Sequence, residues 1–371
     1  MSNKVDNPDY DIGGYVIVNG NEKVIISQER ISNNNILVYK NKKKINKYSY
    51  IVECRSCNEN VFNIPKVVSI KITNKLNINN NLIFITIPNI KNDIPLCILF
   101  RALGIISDKD ICNIILLDLE NNEKLLDQLQ ASIIEANEYL TQEDGIKYIN
   151  SYAMYTPMNV DKELGAIKKM NFTLEILKND LFPHCETPIQ KVYFLGYMTN
   201  KLLNTAFITK IQDDRDSYLN KRVDLTGTLL NNLFRNYFNK LVKDMEKQIL
   251  REVNNGSWKS TDDYENIINL TNIYKIIKSN TIENGIKRAL GTGDFGIKHA
   301  NSNKVGVAQV LNRLTYVSSL SHARRISTPT DKSGKLIPPR KLHNTSWGFL
   351  CPAETPEGQS VGIVKNLSVM T

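Results

Sequence analysis

Nine lysines and arginines lie between Lys298 and Thr345: Lys298, Lys304, Arg313, Arg324, Arg325, Lys332, Lys335, Arg340 and Lys341. The same stretch contains one acid, Asp331. Groups at this density hold phosphates, Lys as a point charge and Arg through a planar fork of donors. The whole chain carries +9, from 47 basic and 38 acidic residues. Removing the nine and the one leaves 38 against 37, so nearly all the excess sits in this stretch. A field concentrated in this way attracts a polyanion. The competing reading is a solvated basic face.

Three other groupings could do chemistry. Asp213-Asp214-Arg215-Asp216 offers three carboxylates in four residues, a pattern that can hold magnesium for phosphoryl transfer. It also suits structural charge pairs with Arg215, Lys221 and Arg222, and with no nucleophile, base or phosphate-cradling glycine loop nearby the structural reading is preferred. Cys54-Arg55-Ser56-Cys57 is a lone C-x-x-C. Zinc needs four ligands, no second pair exists, and the nearest histidine, His184, is far away in sequence. Asp294-Phe295-Gly296 imitates a kinase magnesium motif but lacks the glycine-rich and catalytic loops that must accompany it. His184 and His299 read as ordinary polar residues. No metal site is expected in this chain.

Residues 1–30 read as strand, turn, strand, with Asn19-Gly20 as the hairpin turn. Residues 31–90 are β-rich, in short apolar runs such as Val67-Val68-Ser69-Ile70 and Leu82-Ile83-Phe84-Ile85. Leu96–Leu103 predicts a buried helix stopped at Gly104. Helices follow around 122–137, 144–152, 175–181 and 189–204. The clearest is Leu225–Leu250, whose apolar stripe runs through Leu229, Leu233, Tyr237, Leu241, Met245 and Ile249. A polar linker covers Ser257–Asp263, a mixed segment runs from Ile267 to Leu290, and a further helix is expected near Val305–Ser318. The chain of 371 residues, 42% hydrophobic and 23% charged, has room for two or three domains with real cores. Six irregularly spaced cysteines fit reduced thiols. No apolar run reaches eighteen residues, and Met1–Tyr10 lacks the order of a secretory signal. The reading is therefore an intracellular protein without a membrane partner. Heavy use of Asn, Ile and Lys points to an AT-rich genome.

One constellation is denser than a basic surface loop requires. It combines Leu320-Ser321-His322-Ala323-Arg324-Arg325-Ile326-Ser327 with Pro339-Arg340-Lys341-Leu342-His343-Asn344-Thr345-Ser346-Trp347-Gly348. It ends in the rigid turn Cys351-Pro352-Ala353-Glu354-Thr355-Pro356-Glu357-Gly358-Gln359. Together these resemble the fork of the second-largest, β-type subunit of multisubunit DNA-dependent RNA polymerases. The likeness extends through Gly13-Gly14-Tyr15 to Gln28-Glu29-Arg30, Asp93-Ile94-Pro95 to Gly104, Tyr193–Met198 and Gln212–Gly227, and is loosest in 31–90 and 255–280. Its details resemble the eukaryotic, archaeal and large-DNA-virus branch.

The resemblance implies a multidomain α+β fold of mixed helices and short antiparallel sheets. Residues 1–27 would open the protrusion, 28–205 form the lobe, 206–275 return to the protrusion, and 276–371 form the fork and run into the next domain. Asp213–Asp216 match a structural stretch. Thr328–Lys335 would lie at the downstream edge of the transcription bubble and help keep the strands apart, with Lys332 where many relatives have arginine. His322, Arg324 and Arg325 would floor the pocket beside the RNA–DNA hybrid. Lys335, Arg340 and Gln359 would also face nucleic acid, and Glu357 would orient cations near the incoming nucleotide. The implied reaction is nucleotidyl transfer with two Mg2+ ions. Those ions would be held mainly by the largest subunit and none by this chain. Partners would be the largest and smaller subunits, the template and non-template DNA strands, and the hybrid. Localisation would be nuclear, or virion and host cytoplasm for a viral protein. The chain stops within the strand-like run Gly362–Thr371, so it reads as a fragment, a split-gene piece or a truncated frame, and by itself is expected to lack polymerase activity. Two other readings stand beside this one: a stand-alone nucleic-acid-binding protein that keeps the fold, and a metal-dependent phosphotransferase using Asp213, Asp214 and Asp216.

Overall fold

The structure, a computed structural model, describes residues 10–41, 47–58, 60, 64–74, 81–155, 161–255, 270–296, 305–330, 334 and 336–371. The expected linker at Ser257–Asp263 lies outside these residues. The chain divides into two compact units. One is continuous, Ser32–Arg215. The other is discontinuous, Met1–Ile31 with Asp216–Thr371. Small sheets and many helices make the whole chain mixed α+β.

The discontinuous unit begins with β1 (Val16–Val18), β2 (Asn21–Ile25) and β3 (Ser27–Ile31). The turn between β1 and β2 is Asn19-Gly20, with φ of 51° and 78°. Two positive φ values define the type I′ turn that matches the twist of a two-residue hairpin.

The continuous unit holds β4 (Ile36–Lys40), β5 (Tyr48–Ser56), β6 (Lys66–Thr73), β7 (Ile83–Thr86) and β8 (Ile94–Pro95), paired antiparallel in that order. Alternate residues Val52, Cys54, Val68, Ile70, Ile72, Ile83 and Ile85 point to one buried face. Helices pack there: α1 (Leu96–Ala102), α2 (Asp108–Leu116), α3 (Glu123–Ala136), α4 (Gln142–Ser151), α5 (Lys162–Glu175) and α6 (Pro188–Leu203). Every residue of α1 is buried, and Gly104 follows it at φ +104°. The helix expected at 175–181 is a π-helical turn, Ile176–Asp180, continuing α5. Its carbonyls are held by the buried Lys191, whose Nζ donates to Leu177 O (2.8 Å) and Lys178 O (2.5 Å). Burial pushes the Lys191 ammonium down to about 8. Arg101, 1% exposed, plays the same part at the end of α3, donating to Ala136 O and Tyr139 O and pairing with Asp108.

Asp213 to Arg215 of the acidic group close this unit. Asp213 pairs with Lys201 at 2.7 Å, accepts from Val38 N–H at 2.9 Å and donates its own N–H to Val38 O. Arg215 stacks on Tyr39, 3.9 Å from the ring centre, and pairs with Glu53. These contacts pin the chain to β4 and β5. Cys54 of the C-x-x-C is buried beside Cys185, and burial pushes its thiol up to about 12. Among the described residues, no three His, Cys, Asp or Glu side chains come together as a metal site.

The chain then returns to the discontinuous unit with β9 (Lys221–Asp224), α7 (Thr226–Asn255), α8 (Leu270–Ile276) and α9 (Asn280–Thr292). Leu229 and Leu233 of α7 meet Ala289 of α9, Phe295 and Ile25. Phe295 of the kinase-like tripeptide is thus core, and Asp294 Oδ1 accepts from Gly296 N–H as a local turn. The helix expected over Val305–Ser318 is corrected. Residues Ala308–Val310 form β10, which pairs antiparallel with β2, and α10 occupies Tyr316–Ala323. Thr315 and Ser318 form a capping box that starts α10 late. After it come β11 (Arg325–Ser327) and β12 (Val364–Asn366). No described helix is long and apolar enough to cross a membrane.

Candidate nucleic-acid interface

The basic stretch is organised by a four-stranded sheet in the order β12, β11, β3, β9. Strand β11 pairs antiparallel with β12 and parallel with β3. The parallel pairing joins residues about 300 positions apart, here Ile326 with Ser27. Beneath it lies Glu29, 1% exposed. Its carboxylate pairs with Lys221 Nζ at 2.8 Å and Lys365 Nζ at 3.0 Å, and accepts from Tyr218 Oη at 3.0 Å. Burial alone would raise the Glu29 pKa. Lys365 and Lys221 outweigh it and hold the carboxyl below its ordinary value. Burial first, and then Glu29, push the Tyr218 phenol far up, so it remains a donor.

Arg324 and Arg325 follow α10 directly. Arg324 donates to the main-chain oxygens of Ser368 and Thr371. Arg325 enters the sheet opposite Asn366, and its Nε is buried without a partner among the described residues. No side-chain carboxylate pairs with either arginine among those residues. His322 is different. It is 4% exposed, its Nδ1 accepts from Asn312 N–H at 3.1 Å, and its Nε2 lies 3.1 Å from Gln309 Oε1. With Nδ1 an acceptor, Nε2 carries the proton and the ring is neutral. Burial, and then Arg325, push its pKa down. In this arrangement His322 fixes the approach to α10 from inside.

Arg340 braces the far side. Its Nη1 donates to Gln359 O (2.5 Å) and Val361 O (3.1 Å), and its Nη2 to Gly334 O (3.0 Å). Gln359 and Glu357 are exposed on the turn that Arg340 holds. Thr355 stabilises the same turn, accepting from Gly362 N–H at 2.9 Å and donating to Val364 O at 3.0 Å. Ser321 of α10 donates to Glu354, which ties the helix to the turn. A hollow of about 100 Å3 lies among Asp216, Lys221, Arg340, Lys341, Glu354 and Lys365. The expected loop cations Lys332 and Lys335, with Asp331, lie outside the described residues, as do Lys298 and Lys304. Sequence reasoning missed Glu29, Tyr218 and Lys365, whose roles come from pairing across the sheet.

The family models for RNA polymerase Rpb2 match here, domain 2 over residues 25–224 and domain 3 over residues 309–371. The chain is 40% identical to "DNA-directed RNA polymerase II subunit 2" of Arabidopsis thaliana, over 97% of its own length and 29% of that protein. It is 33% identical to "DNA-directed RNA polymerase subunit 2" of Acanthamoeba polyphaga mimivirus, over 97% of itself and 30% of the relative. It is 31% identical to "DNA-directed RNA polymerase subunit Rpo2N" of Methanococcus vannielii, over 96% of itself and 66% of the relative. The chain therefore spans about three tenths of the length of its eukaryotic and viral relatives, and with half of its residues under one family model it belongs to the Rpb2 family, the second-largest subunits of DNA-directed RNA polymerases.

Proposed function

We propose that this chain supplies the lobe, protrusion and fork parts of a second-largest polymerase subunit and contacts nucleic acid through its fork. The unit Ser32–Arg215 corresponds to the lobe, and the discontinuous unit carries protrusion and fork. The observation that carries the reading is the pair Arg324-Arg325, set at the end of α10 and the start of β11 and without a carboxylate partner among the described residues. Main-chain acceptors orient Arg324 and leave its charge available for phosphate. Lys332, Lys335 and Gln359 are further nucleic-acid contacts in this reading, and Glu357 would orient cations near an incoming nucleotide, while His322 is held by Gln309 and Asn312 at the end of α10.

In this reading the activity belongs to the assembled enzyme, a nucleotidyltransferase working with the largest and smaller subunits on DNA template, non-template strand and RNA–DNA hybrid. Magnesium would be held mainly by the largest subunit. Asp213 is tied to Lys201 and β4, and the described residues bring together no carboxylate cluster for the ion. The site of action would be the nucleus, or virion and host cytoplasm for a viral enzyme. Purified alone, the chain would extend no primer.

The test is charge removal in the assembled enzyme. Replacing Arg324, Arg325 and Lys332 with Gln should flatten the dependence of log affinity on log salt by about 2–3, at about 0.9 for each phosphate no longer neutralised. An unchanged slope would remove these residues from the interface.

A further inference from the structure

A second concentration of positive charge lies outside the fork, where α7 meets α8. A concave site of about 220 Å3 opens there. Lys247 and Arg251 of α7 line it, four residues apart on one helical face, together with Lys275 of α8 and Lys278 just beyond it. Among the described residues Asp244 is the one carboxylate in the lining, and Gln248 is polar and donates to Glu252. Four cations therefore converge on a hollow with one acid.

Repulsion within α7 is offset only in part, by Asp244 three residues before Lys247. Like charges at i and i+4 weaken a helix, and among the described residues none of the four cations has an ion pair or a side-chain hydrogen bond. Several other cations of the same unit are paired. Lys221 and Lys365 meet Glu29, Arg30 meets Asp224, Lys287 meets Glu283, and Arg313 meets Glu22 and Asp11. Among the described residues the quartet thus outweighs Asp244 and leaves a net positive lining around a cavity with room for more than a water-sized ion. With two cations on α7 and two on or just past α8, the site offers several separate anchor points, which suits a chain of phosphates.

We propose that this hollow between α7 and α8 holds the phosphodiester backbone of a nucleic-acid strand, as a contact separate from the fork. The exposed lysines and arginine would meet two or three consecutive phosphates without reading bases.

The experiment uses the full chain with Arg324, Arg325 and the other fork cations intact. A labelled single-stranded DNA oligonucleotide is titrated at several salt concentrations against wild type and K247Q/R251Q/K275Q/K278Q. The slope of log affinity against log salt should flatten by about 1.5–2 in the variant, at about 0.7 per single-strand phosphate. Photo-crosslinking of wild type should mark peptides spanning 244–251 and 275–278. Those marks should persist in an R324Q/R325Q chain, which separates this contact from the fork reading. Equal slopes with no crosslinks in wild type would overturn the proposal. So would binding of tripolyphosphate at the quartet with no crosslinked strand, which would make the hollow a small-anion pocket.

Discussion

Replacing Glu29 with Gln is expected to destabilise the discontinuous unit by about 3 kcal/mol, toward the lower end of the cost of breaking a buried ion pair. The reasoning rests on what remains behind. Glu29 is the common acceptor for Lys221, Lys365 and Tyr218, drawn from β9, β12 and the turn before β9. A neutral amide leaves two ammonium groups facing each other with no counter-charge. Their side chains are 11% and 19% exposed, so water reaches them in part, and that holds the loss near the lower figure. Adding Lys365→Met should recover part of it, which a double-mutant cycle measures directly. The pH dependence has a definite sign. The Glu29 carboxyl is held below its ordinary value of 4.5. Its contribution is therefore complete above that value and is lost as pH falls through the depressed pKa. Wild type and variant should differ most near neutrality and converge in acid. Denaturant midpoints that track each other in parallel down to low pH would show that Glu29 is not the keystone of this sheet.

The same residues show what a sequence can and cannot disclose. The hairpin at Asn19-Gly20 is local: both residues tolerate positive φ, and two of them in succession leave one favoured turn. The buried helix Leu96–Ala102 is legible from its apolar run and glycine stop, and the long helix Thr226–Asn255 from its apolar stripe. The helix Asp108–Leu116 is absent from the sequence reading, although Ser107, which accepts from Asp110 N–H ahead of an acidic first turn, marks its start. Residues Ala308–Val310 carry no such sign. They are strand because β2 offers an open edge, and tertiary pairing overrides a local leaning to helix. The candidate site divides the same way. Its net charge is additive and could be counted. Whether His322 faces solvent or packs against Gln309 and Asn312 depends on where β10 and the following loop lie, so its ring environment follows from the fold and not from the run of residues around it.

Gly362→Ala is expected to be the most damaging small substitution in the fork turn, and Gly358→Ala supplies its control. Both glycines have positive φ, +70° and +80°. An L-residue in that region costs about 1–2 kcal/mol whatever surrounds it. Around Gly358 an added methyl meets nothing within 4 Å, so the loss should stop there. At Gly362 the methyl carbon would lie 2.1 Å from Arg340 O and 2.5 Å from Arg340 Cα. Those are backbone atoms, fixed by the three hydrogen bonds that the Arg340 side chain makes to Gln359, Val361 and Gly334. Neither can swing aside as a flexible side chain would. The turn and the Arg340 segment must therefore separate, and that breaks the Gly362 N–H to Thr355 bond as well. Gly362→Ala should thus cost at least about 2 kcal/mol more than Gly358→Ala, from two or more hydrogen bonds at about 1 kcal/mol each. It should also weaken nucleic-acid binding by the assembled enzyme, because Arg340 and Gln359 move with the turn. Unfolding midpoints of the two variants provide the first comparison and binding isotherms the second. Equal midpoints would mean that the close approach of Gly362 to Arg340 relaxes at no cost, and that the turn does not hold the arginine in place.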